Sequence, residues 1–284
     1  MANQPFIVGL GEVLWDCLPD GPRLGGAPAN FAYHVARLGF PARIVSAVGK
    51  DVLGIETLAA LSSKGLEGYL PQVDAPTGMV KVNLDAQGVP NYEICEGVAW
   101  DYIPFSPALE SLAEHCAAVC WGTLAQRHPV SQQTIHRFLD HVPADCWKVF
   151  DINLRQHYYS WELIEASLIR CDILKINDEE LEIVARLLRR SISDVEKFCK
   201  EMLETYRLKI LVLTCGAKGS SVFTKEGVSH AQVPKVKVVD TVGAGDAFTA
   251  AFVVSLLSGT GEEKAHQKAT EVSAYVCTHE GGMG

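Results

Sequence analysis

The feature that most limits what this chain can fold into is a recurring pair of signals. Short, continuous, β-branched apolar runs at residues 6–10, 44–48, 118–121, 149–152, 173–176 and 210–214 are separated by stretches of helical periodicity. Runs without polar alternation suit strands buried on both faces of a parallel sheet. Between them, residues at about 28–38, 55–64, 131–140, 161–170, 178–188 and 193–206 repeat apolar positions at helical spacing. Gly39 follows the first of these as a C-terminal stop. Strand–helix alternation over most of the length predicts a three-layer α/β fold with a mostly parallel central sheet.

One stretch breaks the rhythm. From residue 79 to 84, Val80, Val82 and Leu84 fall on one side of a strand and Lys81 and Asn83 on the other. After Gly88, Val89 and Pro90 comes a second short run, Tyr92, Glu93 and Ile94. Alternation around a Gly/Pro turn predicts a hairpin with one solvated or ligand-facing side, inserted into the βα pattern. No linker, low-complexity tract or internal repeat divides the 284 residues, so a single domain is expected.

Charge then narrows the function. Lys plus Arg total 25 against 34 Asp plus Glu, a formal net charge of -9, which argues against a nucleic-acid partner. An anionic ligand must instead be held by backbone amides and a metal. The nine cysteines show no paired spacing and read as reduced thiols. With no leader-like N-terminus and no apolar run of membrane length, a cytoplasmic protein without membrane contact is expected.

Chemistry concentrates in a few motifs. In the run from Val236 to Phe248, a β-rich segment leads into Gly243, Ala244 and Gly245, then a helix on which Phe248, Phe252 and Leu256 recur. Bare amides at a helix N-terminus form an anion site. Asp246, at the start of that helix, is either a capping carboxylate or a general base beside the anion hole; the local pattern does not separate the two. Gly25, Gly26, Pro28 and Asn30 open another helix, and Asp16 follows the first strand; Asp16 and Asn30 together can read polyol hydroxyls, or serve as a loop carboxylate and a cap. Three further clusters end successive strands, where open α/β sheets bind ligands. Arg155 can clamp a phosphate or sugar oxygen, Asn177 and Glu180 suit a hydrated Mg²⁺, and Thr214, Gly216 and Gly219 form a turn that can pack under a nucleotide. There is no P-loop and no protein-kinase signature set, Leu14 replaces the third glycine of a dinucleotide fingerprint, and no histidines stand in a His-Glu-x-x-His arrangement.

Together these motifs resemble the PfkB, or ribokinase-like, family of carbohydrate kinases. One family signature fits Gly25-Gly26-Ala27-Pro28-Ala29-Asn30-Phe31-Ala32 with Gly39 and Gly49, and the other fits the twelve residues from Asp240 to Ala251. The resemblance covers essentially the whole chain and implies a ribokinase-like α/β/α fold with a small β-sheet lid from about 12–24 and 77–100. It implies transfer of the γ-phosphoryl of ATP to a sugar hydroxyl. Asp246 would be the base and Gly243, Ala244 and Gly245 the anion hole. Asp16, Gly25, Gly26, Asn30 and Arg155 would meet the sugar, and Asn177, Thr214, Gly216 and Gly219 the nucleotide. Glu180 would serve Mg²⁺ through water. Asp240 and Val242 would belong to a K⁺ loop, and the lid to a homodimer. The Gly-Glu-Val-Leu-Trp-Asp and Asp-Ile-Asn-Leu-Arg stretches look most like bacterial fructokinases. Another sugar (ribose, 2-keto-3-deoxygluconate), a nucleoside such as adenosine, or a silent sugar-binding regulator are the alternatives. One departure stands out: family members usually continue past the glycine pair after the last long helix, whereas this sequence stops at Gly281-Gly282-Met283-Gly284.

Overall fold

The computed structural model describes residues 5–18, 21–84 and 90–283. In chain order the strands are β1 (Phe6–Leu10), β2 (Leu14–Leu18), β3 (Gly21–Gly25), β4 (Ala42–Val45), β5 (Val48–Gly49), β6 (Glu67–Tyr69), β7 (Gln72–Val73), β8 (Met79–Leu84), β9 (Pro90–Ile94), β10 (Cys116–Trp121), β11 (Trp147–Asp151), β12 (Ile173–Asn177), β13 (Ile210–Thr214), β14 (Ser220–Phe223) and β15 (Val228–Ala231). The α-helices are α1 (Ala27–Arg37), α2 (Val52–Ser63), α3 (Pro107–Ala113), α4 (Pro129–His141), α5 (Trp161–Leu168), α6 (Asp178–Leu187), α7 (Val195–Thr205), α8 (Ala244–Leu257) and α9 (Glu262–Val276).

Nine strands form one sheet in the order β15-β14-β13-β12-β11-β10-β1-β4-β6. Every pairing in it is parallel except β13–β14 and β14–β15. Period-two alternation divides the core between its faces. Val8, Leu10, Val119, Phe150, Leu174, Ile176 and Leu211 pack on the side of α3 to α7. Ile7, Ala118, Cys120, Val149, Ile173 and Ile210 pack on the side of α1, α8 and α9. The expected three layers follow from that division.

β2, β3, β8 and β9 build a separate sheet in the order β3-β2-β8-β9. The predicted hairpin is present, with Val80 opposite Ile94 and Lys81 opposite Glu93. The turn residues Gly88 and Val89, and the side chains of Val82 and Leu84, lie outside the described residues. A buried ion pair roots this sheet in the body: Arg127 Nε donates to Asp101 Oδ1 at 2.8 Å and an Nη2 hydrogen bond reaches the Cys95 carbonyl beside β9.

Two sequence expectations change. The β-rich run at 236–239 is no strand; Val236, Val238 and Val239 are exposed, and only the Val239 and Asp240 amides bond, to the Cys277 carbonyl. Among the described residues no strand pairs with this run, and β-propensity without a pairing partner does not make a strand. The run at 44–48 divides into β4 and β5 because Val48 pairs with Gln72 in a separate two-stranded ladder.

His266 on α9 is fully buried, hydrogen-bonded through Nε2 to Ser220 and through Nδ1 to Ser229. Burial pushes its pKa down to about 4. Between about pH 4 and 6.5 the unfolded chain therefore binds a proton that the folded chain refuses, so stability falls as pH falls through that window. Relative to His266→Gln, the native protein should lose on the order of 2 kcal/mol between pH 7 and pH 4, read from urea unfolding at each pH.

Candidate active site

β1 lies between β4 and β10, and the chain leaves it first toward β4 and later returns to β10. That reversal is the topological switch point, where the carboxyl ends of parallel strands leave a crevice. Asp246 stands over it. A small cavity, with room for about one water molecule, is lined there by Pro28, Trp121, Gly122, Asp151, Asn153 and Asp246.

Local sequence explains how each group arrives. Gly243 caps α8 with φ 78°, a left-handed conformation that favours glycine. Ala244 and Gly245 then begin the helix with small side chains and no side-chain cap; the Ala244 amide makes a long bond of 3.3 Å to the Thr241 carbonyl, and a ligand can approach the backbone here closely. Gly26 starts α1 with φ 106°, and a Cβ there would lie 2.5 Å from the Glu12 carbonyl. Asn30, one turn into α1 and 5% exposed, donates from Nδ2 to Asp246 Oδ2 at 2.8 Å. Four residues on, His34 donates from Nε2 to the Gly282 carbonyl at 2.9 Å. One face of α1 thus holds both the candidate base and the segment after α9.

That segment folds into the site. The Gly281 amide donates to Asp240 Oδ2 at 2.9 Å, and Lys64 donates to the Met283 carbonyl at 3.0 Å. A Cβ on Gly243 would lie 2.6 Å from the Gly282 Cα, and a Cβ on Gly282 would lie 2.6 Å from Asn30 Nδ2. Two glycines meet here because nothing larger fits between the loop and Asn30.

The electrostatics are those of crowded carboxyls. Burial, with repulsion from Asp151, pushes Asp246 up to about 6, while the Asn30 hydrogen bond, Lys175 and Arg155 oppose the rise. Burial pushes Glu12 up to about 7, against its own amide and the charge of Arg155. Glu12 Oε2 and Asn30 Oδ1 are buried without a protein partner. Asp16 on β2 is also pushed up by burial, and Gly25 leaves it room, since a Cβ there would lie 2.9 Å from Asp16 Oδ2. Arg155 is exposed and donates to the Leu154 carbonyl, yet its charge is felt by both Glu12 and Asp246.

The groups expected at the nucleotide end sit on neighbouring strands. Asn177 ends β12 opposite Thr214 at the end of β13. Asn177 caps α6: its Oδ1 accepts from the Glu180 amide at 2.8 Å, and Glu180 Oε2 accepts from the Asn177 amide at 3.0 Å. Glu180 Oε1 also accepts from the Leu154 amide, so this carboxylate ties α6 to the segment carrying Arg155. Gly216 and Gly219 adopt φ 52° and 107° in the turn. Beside it a cleft of about 300 Å³ opens between β15 and α9, lined by residues including Ala231, Pro234, His266, Gln267 and Thr270. Asp240 accepts from the Val242 and Gly281 amides; burial pushes its carboxyl up, but these bonds outweigh it and hold it below the usual range. Among the described residues no three His, Cys, Asp or Glu converge as a metal cage.

Motif reading passed over four groups that the structure brings in: Glu12, Lys175, Thr249 and the contact made by Gly282. Lys175 carried a signal, because a lysine inside the apolar run Ile173-Leu174-Lys175-Ile176 must either be paired or break the strand. Period two places it on the face of Ile173, toward α8.

Comparison with known proteins shows which sequences and folds this chain is similar to. The E. coli protein named fructokinase is 28% identical over 88% of this chain and 83% of its own length. An ATP-dependent 6-phosphofructokinase of Thermoanaerobacterium thermosaccharolyticum is 29% identical over 91% of this chain and 80% of its own. The crystal structure of an uncharacterized sugar kinase from Pyrococcus horikoshii in complex with ATP superposes with a TM-score of 0.81 at 25% identity, covering 98% of this chain and 94% of that one. The family model described as pfkB family carbohydrate kinase matches residues 21–284, so the chain belongs to that family.

Proposed function

We propose that this sugar kinase transfers the γ-phosphoryl group of ATP to fructose, giving fructose 6-phosphate. The observation that carries the reading is Asp246, held by Asn30 at a helix start that has no side-chain cap. Asp246 takes the proton from the attacking hydroxyl as it approaches phosphorus. The amides of Gly243, Ala244 and Gly245 hold the charge of the transferring group. Asp16, Glu12 Oε2 and Asn30 Oδ1 supply acceptors for sugar hydroxyls; two of these atoms are buried and unpartnered, which a polyol donating to them would correct. Gly25 and Gly26 keep the backbone low enough for a sugar ring, and Arg155 reaches in from the rim.

The nucleotide lies along the 214–219 turn, with Thr214, Gly216 and Gly219 beneath it, Asn177 toward its phosphates and its base at the cleft beside α9. Bound Mg²⁺ supplies neutralisation of phosphate charge. The donor chemistry fits a hydrated ion: Glu180 keeps a free lone pair on each oxygen after its backbone bonds, which suits water ligands. Asp240 fixes the loop through Val242 and Gly281, and K⁺ is assigned to the carbonyls of that loop. β2, β3, β8 and β9 act as the lid within a single kinase domain, and a homodimer pairs through it. Nine cysteines without a disulfide support a reducing, cytoplasmic setting.

ADP release should be measured with fructose, fructose 6-phosphate, ribose, 2-keto-3-deoxygluconate and adenosine, each with and without K⁺. Fructose is expected to give the highest kcat/KM. Preference for fructose 6-phosphate would support the reaction named for the Thermoanaerobacterium relative. Sugar binding by calorimetry without any turnover would favour a regulator and remove the kinase reading.

A further inference from the structure

Lys175, in β12, is a buried lysine. Its ammonium lies 3.0 Å from Asp151 Oδ1. On the loop side, a Cβ added to Gly245 would lie 3.0 Å from the same nitrogen, so the charge sits directly beneath the first turn of α8. Asp151 is held in turn by Thr249, whose hydroxyl lies 3.0 Å from Asp151 Oδ2 and 3.0 Å from the Gly245 carbonyl. β11, β12 and α8 are therefore joined under the anion loop by one buried network.

The surroundings make that charge consequential. Asp151, Glu180 and Asp246 all act on Lys175. Burial works against its proton, but Asp151 and then Glu180 outweigh it and hold the ammonium charged. Without this cation, a phosphoryl group entering the loop would face several carboxylates and no buried positive charge.

We propose that Lys175 is a positioning residue for phosphoryl transfer: its buried ammonium offsets the carboxylates under the 243–245 loop and so lets the loop's amides receive the transferring phosphoryl charge. This rests on the kinase reading above. The rival is that Lys175 only neutralises Asp151 as a structural pair.

The two separate by experiment in the full-length protein with the sugar that turns over best. Lys175→Met leaves Asp151 buried and unpaired, which by itself can unfold the protein. The decisive variant is therefore Lys175→Met combined with Asp151→Asn, which removes both charges and keeps an acceptor for Thr249. We expect the double variant to unfold at a urea midpoint close to the native one. Its kcat should be lower by about 10- to 100-fold, because Glu180 and Asp246 then stand beneath the loop with no buried cation among them. KM for sugar and affinity for ADP should stay within about threefold, and Lys175→Arg should recover part of kcat. Affinity for ADP with aluminium fluoride, a mimic of the transferring group, should fall with kcat, giving a readout independent of turnover. A double variant with native stability, native kcat and native aluminium fluoride affinity would overturn the proposal. A native protein that binds sugar but never releases ADP would instead overturn the kinase reading on which it rests.

Discussion

Replacing Asp246 with Asn should lower kcat by about 100-fold or more while ATP affinity stays within about threefold, measured by steady-state kinetics and calorimetry. The replacement keeps the size of the side chain and a partner for Asn30, so packing at the start of α8 is retained. What it removes is the lone pair that accepts the hydroxyl proton. The native pH profile carries the same signature. With Asp246 pushed up to about 6, kcat should fall as pH drops below that value and level off above it, because only the ionised carboxyl is a base. That acid limb should be absent from the residual activity of Asp246→Asn. A variant with near-native kcat would remove Asp246 from the role of base.

The second large effect concerns stability. Arg127→Leu should cost about 3–5 kcal/mol in urea unfolding, because it leaves Asp101 buried and charged without its counter-ion. Side-chain exposures of 6% for Arg127 and 2% for Asp101 exclude the solvent screening that weakens surface pairs. The loss extends beyond one pair. Arg127 also donates to the Cys95 carbonyl and lies over the rings of Trp100 and Tyr158. Tyr158 donates to the Ile94 carbonyl at the end of β9. The same change should therefore loosen the root of the small sheet and raise KM for sugar. Arg127→Leu combined with Asp101→Leu should recover most of the stability, since replacing both ions removes the unpaired charge. A single variant within about 1 kcal/mol of native would show that Asp101 finds water.

Much of the fold was legible because each element announces itself locally. β1 and β13 match their apolar runs residue for residue, and α1 begins at the Gly-Pro entry and ends before Gly39. The 236–239 run misled for a reason that lies outside itself: strand formation needs a partner, and this run pairs with no strand of the described sheets. The helix start at 243–245 was legible too, since Gly243 takes a left-handed conformation that favours glycine whatever lies around it.

The sequence by itself determined the layer order, the loop at 243–245, and the presence of a carboxylate at its helix. Those depend on short-range rules: side-chain periodicity, φ preference and orphan amides. Only the tertiary structure decided what that carboxylate meets. Asn30 reaches Asp246 across 216 positions of sequence, and Asp151 and Thr249 meet across 98. Gly282 closes on Gly243 and Asn30 from the far end of the chain. Raised carboxyls, a buried ammonium and unpartnered oxygens arise from burial and from charges brought together by the sheet. No window of sequence carries that information, because the low dielectric that gives those contacts their strength exists only once the layers have packed.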